Sequence, residues 1–155
     1  MTVQDFIIAY NAGFKFIRER HGDDAVRALW QTISEEWCLH LRELVAAYGL
    51  DGLMAYWGGD SGTLQREKAA FDLELKDGKF SGVMHECPSV AELRHHGFEP
   101  MKGSLSYCDH CPALYAPVAA AHGIRMTWDI EYGANNECTG RCSWAGEMAP
   151  ACEPQ

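Results

Sequence analysis

Six of the seven cysteines in this chain follow residue 86, and most fall into three short clusters. These are His85-Glu86-Cys87-Pro88, Cys108-Asp109-His110-Cys111-Pro112 and Cys138-Thr139-Gly140-Arg141-Cys142. Thiolates and imidazoles are soft donors, so their convergence would suit zinc, Cu(I) or an iron–sulfur cluster. The ligand set in that reading is Cys87, Cys108, Cys111 and Cys138, with zinc as the first expectation and an iron–sulfur cluster as the alternative. Cys-x-x-Cys occurs once, its partner is Cys-x-x-x-Cys, and the gap between them exceeds that of a zinc ribbon. On a regular strand Cys138 and Cys142 share a face but lie roughly 13 Å apart. They meet at one ion only if Gly140 bends the chain.

The middle cluster also reads as a nucleophile site. With Pro112 at the first helical position, Cys111 becomes the cap and Cys108 lies just before it. Unpaired amide N–H groups and the helix dipole favour the thiolate there. Cys108 is therefore the candidate nucleophile, with Cys111 as resolving thiol, second ligand or second candidate. His110 or His85 would move protons, and Glu86 or Asp109 would orient them. Arg125 or Arg141 would pair with a substrate carboxylate, which guanidinium matches in two parallel hydrogen bonds. Cys38 adjoins a helical stripe and reads as an inert core thiol, and Cys152 sits in a Pro-rich tail. His40, His95, His96 and His122 read as surface or capping residues.

The elements that must position these groups follow from periodicity. Phe6, Tyr10, Phe14 and Ile17 recur at helical steps, with Thr2 and Asp5 as a loose capping box and His21-Gly22 as the end. Asp23 and Asp24 open a longer helix, whose stripe Val26, Leu29, Trp30, Ile33, Trp37, Leu41, Leu44 and Tyr48 runs nearly unbroken and ends before Gly49. A shorter helix over Leu50 to Trp57 stops at the glycine-rich loop 58–62. The period then changes to two. Phe71, Leu73 and Leu75 alternate with Asp72, Glu74 and Lys76, and Asp77-Gly78 predicts a two-residue hairpin turn. Pairing Lys76 with Lys79 puts Phe80, Gly82 and Met84 on the face of those apolar residues. Val83, His85 and Cys87 then project from the other face. Ile124 to Tyr132 alternates in the same way. Helices are expected near Val90–His95 and Pro112–His122, the second kinked or delayed by Pro117. The plan is α+β: N-terminal helices packed on an antiparallel sheet of two hairpins, with a helix between them. Residues 1–148 form one domain and 149–155 a flexible tail.

Composition narrows the function classes. The net charge of −9 opposes nucleic-acid binding, which needs a basic surface to displace counterions. No stretch approaches the roughly 18 apolar residues of a membrane span. The N-terminus lacks a basic region and cleavage site, so a cytoplasmic location is expected, where thiols stay reduced. The aromatic helices (Phe6, Phe14, Phe16, Trp30, Trp37) offer a homodimer face.

Together, Cys87-Pro88 ending a hairpin, Tyr107-Cys108 opening a helix, and a last hairpin from Gly133 to Cys138 resemble the L-2-amino-thiazoline-4-carboxylate hydrolase-like proteins. The likeness runs over roughly residues 5–144 and places Cys87, Cys108 and Cys138 at the family's cysteine positions. It implies an α+β fold and hydrolytic opening of a cyclic C–N bond in a small sulfur heterocycle. Cys111 and Cys142 are additions to that pattern, as is a longer gap between Gly133 and Cys138, and the extra thiols favour metal. Three functions follow as expectations. A small-molecule hydrolase comes first, using Cys108 or a metal-activated water. A metal- or cluster-binding protein comes second, and thiol–disulfide exchange through Cys108 and Cys111 third.

Overall fold

A computed structural model of the chain describes residues 3–150; Thr2, Cys152 and the end of the expected tail lie outside the described residues. Four helices come first: α1 (Val3–His21), α2 (Asp23–Glu36), α3 (Leu39–Tyr48) and α4 (Leu50–Gly58). A single turn, α5 (Thr63–Arg66), leads into the hairpin β1 (Ala70–Lys76) and β2 (Lys79–Glu86). Helices α6 (Pro88–His95) and α7 (Tyr107–Ala120) separate it from the hairpin β3 (Ile124–Tyr132) and β4 (Cys138–Met148). The strands form one antiparallel sheet in the order β1-β2-β4-β3, which is the expected α+β plan. Among the described residues no helix is long and apolar enough to cross a membrane.

The first hairpin closes as its sequence dictates. Lys76 pairs with Lys79, and Asp77 and Gly78 take φ values of 51° and 72°, the left-handed pair such a turn requires. Phe80, Gly82 and Met84 are buried on the face that carries Phe71, Leu73 and Leu75. The two hairpins then join through β2 and β4, with Phe80 opposite Gly146 and Met84 opposite Cys142. The inner face packs against α4 and α7 around Trp57, Phe80 and Trp144. The rings of Trp57 and Phe80 stack at 5.5 Å, and Trp144 meets Trp57 edge-on at 5.6 Å. Helices α1 and α2 stand behind α7 and build a second core with it, around Phe14, Trp30 and Leu114.

The expected long helix over residues 23–48 divides in two. It breaks at Trp37 and Cys38, and Trp37, placed in the buried stripe by its spacing, is 75% exposed. Two side chains stabilise the break. The Ser34 hydroxyl donates to the Leu114 carbonyl at 2.7 Å, tying the end of α2 to α7. The Arg42 guanidinium donates to the carbonyls of Ser34 and Glu35, which a continuous helix would satisfy itself. Turning the chain there lets α3 pack against α4 and the main core while α2 stays on the second. The first stripe also begins one residue late, since Ile7 is buried and Phe6 is exposed.

Helix α7 starts earlier than Pro112. Ser106 is its cap, donating its backbone N–H to the Asp109 carboxylate at 2.9 Å in a capping box. Cys108 and Cys111 therefore both lie inside the helix, one turn apart, and Cys111 is not the cap. Cys87 departs from expectation too. A register shift opposite Ala70 and Phe71 ends the regular pairing, and Cys87 caps α6 with its side chain packed against the main core. It does not share the outer face with Val83 and His85.

Gly82 is the tightest point of the inner face, because a methyl group there would overlap the Trp144 ring. The expected cost of Gly82→Ala is about 1–3 kcal/mol, read as a lower urea midpoint with an unchanged denaturant slope.

Candidate functional site

The three cysteine clusters meet where α6, α7 and β4 come together. Strand β4 reaches this point through a bulge. Ile130 pairs with Cys142 but Tyr132 pairs with Cys138, so β4 gains two residues, and Gly140 within the bulge has φ 86°. The Gly140 carbonyl accepts the Cys87 N–H at 2.9 Å, joining the first cluster to the third. Cys138 is held by both of its backbone groups. Its N–H donates to the Pro100 carbonyl at 2.7 Å, and its carbonyl accepts from Arg94 at 2.7 Å. The segment from Gly97 to Leu105 straps it down, adding a bridge from Met101 to Glu137 and a bond from Lys102 N–H to the Asn136 carbonyl.

In this setting the Cys108 and Cys138 sulfurs stand 2.7 Å apart. That is closer than unbonded sulfurs ordinarily approach and longer than the roughly 2.05 Å of a disulfide bond. The two thiols differ in burial and acidity. Cys138 is 1% exposed, whereas Cys108 is partly exposed. The contact with the Cys108 thiol, the Gly140 N–H and the Arg94 charge draw the Cys138 thiol below the ordinary cysteine range despite burial. The same contact and burial push Cys108 up. Cys138 is thus the more acidic thiol of the two.

The other described thiols are all raised by burial. Cys87, Cys111 and Cys142 line a small cavity beneath the sheet, and burial raises each of them. Cys38 packs against both cores and is likewise raised by burial. Of the four expected ligands, Cys108 and Cys138 touch, and Cys87 and Cys111 line the cavity. Among the described residues no group of three or more His, Cys, Asp or Glu side chains is arranged to hold a metal ion.

His110 lies apart from the sulfur pair, enclosed by the rings of Tyr10, Phe14, Trp30 and Tyr107 and 4% exposed. Its Nδ1 is 2.5 Å from the Tyr107 carbonyl. A carbonyl only accepts, so Nδ1 carries the hydrogen and cannot take a proton from Cys111, 3.7 Å away. Burial lowers its pKa to about 4. His110 is a neutral core histidine at pH 7.

The other expected catalytic and binding groups sit on the solvent side of the sheet. His85 is 2.7 Å from Asp72, and Glu86 is exposed at the end of β2. Arg125 pairs with Glu147, and Arg141 lies 3.7 Å from Glu131. None of them contacts the pair. The groups that sequence reasoning missed are Arg94, Gly140 as an N–H donor, and Cys138 as the acidic thiol. Ser106-x-x-Asp109 was a readable helix start. The Arg94 contact joins residues 44 apart and leaves no local pattern.

His110 makes stability depend on pH. The unfolded chain takes a proton on this residue below its ordinary pKa of 6.5, whereas the folded chain resists protonation down to about 4. Stability is therefore full above pH 6.5 and declines as pH falls toward 4, by about 3 kcal/mol for this residue. Urea titrations between pH 4 and 7 check this, and His110→Phe should flatten that slope. No protein-family model, curated protein or solved structure matches this chain.

Proposed function

We propose that this protein is a cysteine-dependent enzyme that opens a cyclic C–N bond of thiazoline or amidine type, with Cys108 as the nucleophile. The observation that carries the reading is the 2.7 Å contact between a partly exposed thiol and a buried, acidic one. A nucleophilic thiol needs a nearby proton acceptor, and here Cys138 takes the place expected of His110. The hydrolase resemblance supplies the substrate class. The touching cysteines, Cys108 and Cys138, are two of the three that the resemblance places at the family's positions, while the added Cys111 and Cys142 are outside the pair.

The chemistry balances without another acid or base. As Cys108 attacks the amidine carbon, its proton passes to Cys138. The ring nitrogen takes that proton as the adduct forms, and the ring C–N bond breaks as the same nitrogen takes a second proton from the exocyclic amino group, which becomes an imine. Water then displaces the carbon from Cys108, returning one thiol and one thiolate to the pair. Arg94, fixed by Glu99 at 2.8 Å and by the Cys138 carbonyl, holds the negative charge in place throughout.

The test is ring opening of 2-amino-thiazoline-4-carboxylate, followed by loss of the ring's ultraviolet absorption. Cys108→Ser should abolish turnover and Cys138→Ser should lower kcat about 10²–10⁴-fold, while Cys38→Ser leaves it unchanged. Activity should persist to lower pH than an ordinary cysteine permits, and Arg94→Gln should shift that limit upward. Full activity in Cys108→Ser, or an inert wild-type protein, overturns the proposal.

A further inference from the structure

We infer that Cys108 and Cys138 also form a reversible redox couple, closing to an intramolecular disulfide by exchange with a small aliphatic disulfide. The inference uses the same two residues but does not depend on hydrolysis. It replaces Cys111 by Cys138 as the resolving thiol of Cys108.

Three observations carry it. The sulfurs are 2.7 Å apart, so closing the bond needs a small movement of side chains and none of the backbone path. The backbone at Cys138 is fixed on both sides, by Pro100 and Arg94, and Cys108 stands in the first turn of a capped helix. Both ends are therefore held in register before any oxidant arrives. Burial assigns the order of events. Cys108 is the less buried residue of the two, the one an outside molecule meets first, and Cys138, at 1% exposure, meets no outside molecule but reaches Cys108.

Cys111 is a poorer partner although its spacing from Cys108 resembles a redox motif. One turn farther along α7, it lines the cavity with Cys87 and Cys142, and burial holds its thiol protonated. Thiol–disulfide exchange proceeds through the thiolate, so a thiol that stays protonated resolves slowly.

The exchange balances in two steps. Cys108 passes its proton to Cys138 and attacks the disulfide RSSR, forming Cys108–SR and releasing RS⁻. That thiolate takes the proton from Cys138, and Cys138 then attacks the Cys108 sulfur and expels the second RS⁻. One thiol and one thiolate of the protein are oxidised to a disulfide, and RSSR is reduced to RSH and RS⁻. The closed form lacks both a nucleophile and a proton acceptor.

The experiment uses the full chain with hydroxyethyl disulfide, alkylation of the remaining thiols, and peptide mass mapping. The wild-type protein should lose the mass of two hydrogens, yield a Cys108–Cys138 cross-linked peptide, and recover on reduction. Cys138→Ser should stop at a mixed disulfide on Cys108, and Cys111→Ser should close within about twofold of the wild-type rate. If Cys138→Ser fails to fold, Cys111→Ser still decides the matter through its cross-link. A Cys108–Cys111 cross-link, or Cys108 left as a free thiol, overturns the inference. Cross-linking without ring opening in the turnover assay removes the hydrolase proposal alone, and the reverse result removes the redox couple alone.

Discussion

The site depends on the left-handed backbone of Gly140. A regular β4 would carry the third cluster straight along the sheet, with Cys138 and Cys142 on one face and far apart. At φ 86° the strand instead bulges by two residues, which brings Cys138 against the first turn of α7. The same bend presents the Gly140 carbonyl to Cys87 and its N–H to the Cys138 sulfur. A Cβ at this position would meet Val90 only at ordinary contact distance, so space is not what selects glycine. The backbone conformation selects it, because L-residues with side chains pay a steric penalty there.

Around that bend the fold separates sulfur chemistry from acid–base chemistry. The inner face and the helices over it form a region of low polarity, where burial raises the Cys87, Cys111 and Cys142 thiols and His110 stays unprotonated. The outer face is open to water, and its alternating charged residues pair across strands, as Arg125 does with Glu147 and His85 with Asp72. In the proposed mechanism the proton acceptor for Cys108 therefore comes from the buried side. Cys138 supplies it because a hydrogen-bonded thiol, an amide N–H and the Arg94 charge together outweigh the desolvation of its thiolate.

Local rules were a good guide wherever one face alone decides the outcome. The Asp77-Gly78 turn, the register of β1 and β2 and the inward set Phe80, Gly82 and Met84 all follow from a two-residue period and a turn that needs positive φ. Those rules failed where two cores compete for one stripe. From Val26 to Tyr48 the apolar spacing is continuous, yet the chain must serve one core through Trp30 and another through Leu41. It breaks at Trp37, and Arg42 caps the carbonyls so released. The beginning of α7 was misplaced for another reason. Pro112 suits a first helical turn, but Ser106 and Asp109 satisfy more orphan donors five residues earlier.

By itself the sequence determined the α+β plan, the two hairpins and the three thiol clusters, because periodicity, turn chemistry and cysteine spacing are properties of neighbouring residues. It also pointed to Gly140 as the residue at which the strand carrying Cys138 and Cys142 would bend. Only the tertiary structure decided which thiols touch, which one is the more acidic and where the charged candidates point. Those outcomes rest on contacts between residues far apart in the chain, such as Arg94 with the Cys138 carbonyl and Cys87 with Gly140. They rest also on burial, which sets the acidity of each thiol and of His110 and which no local pattern encodes.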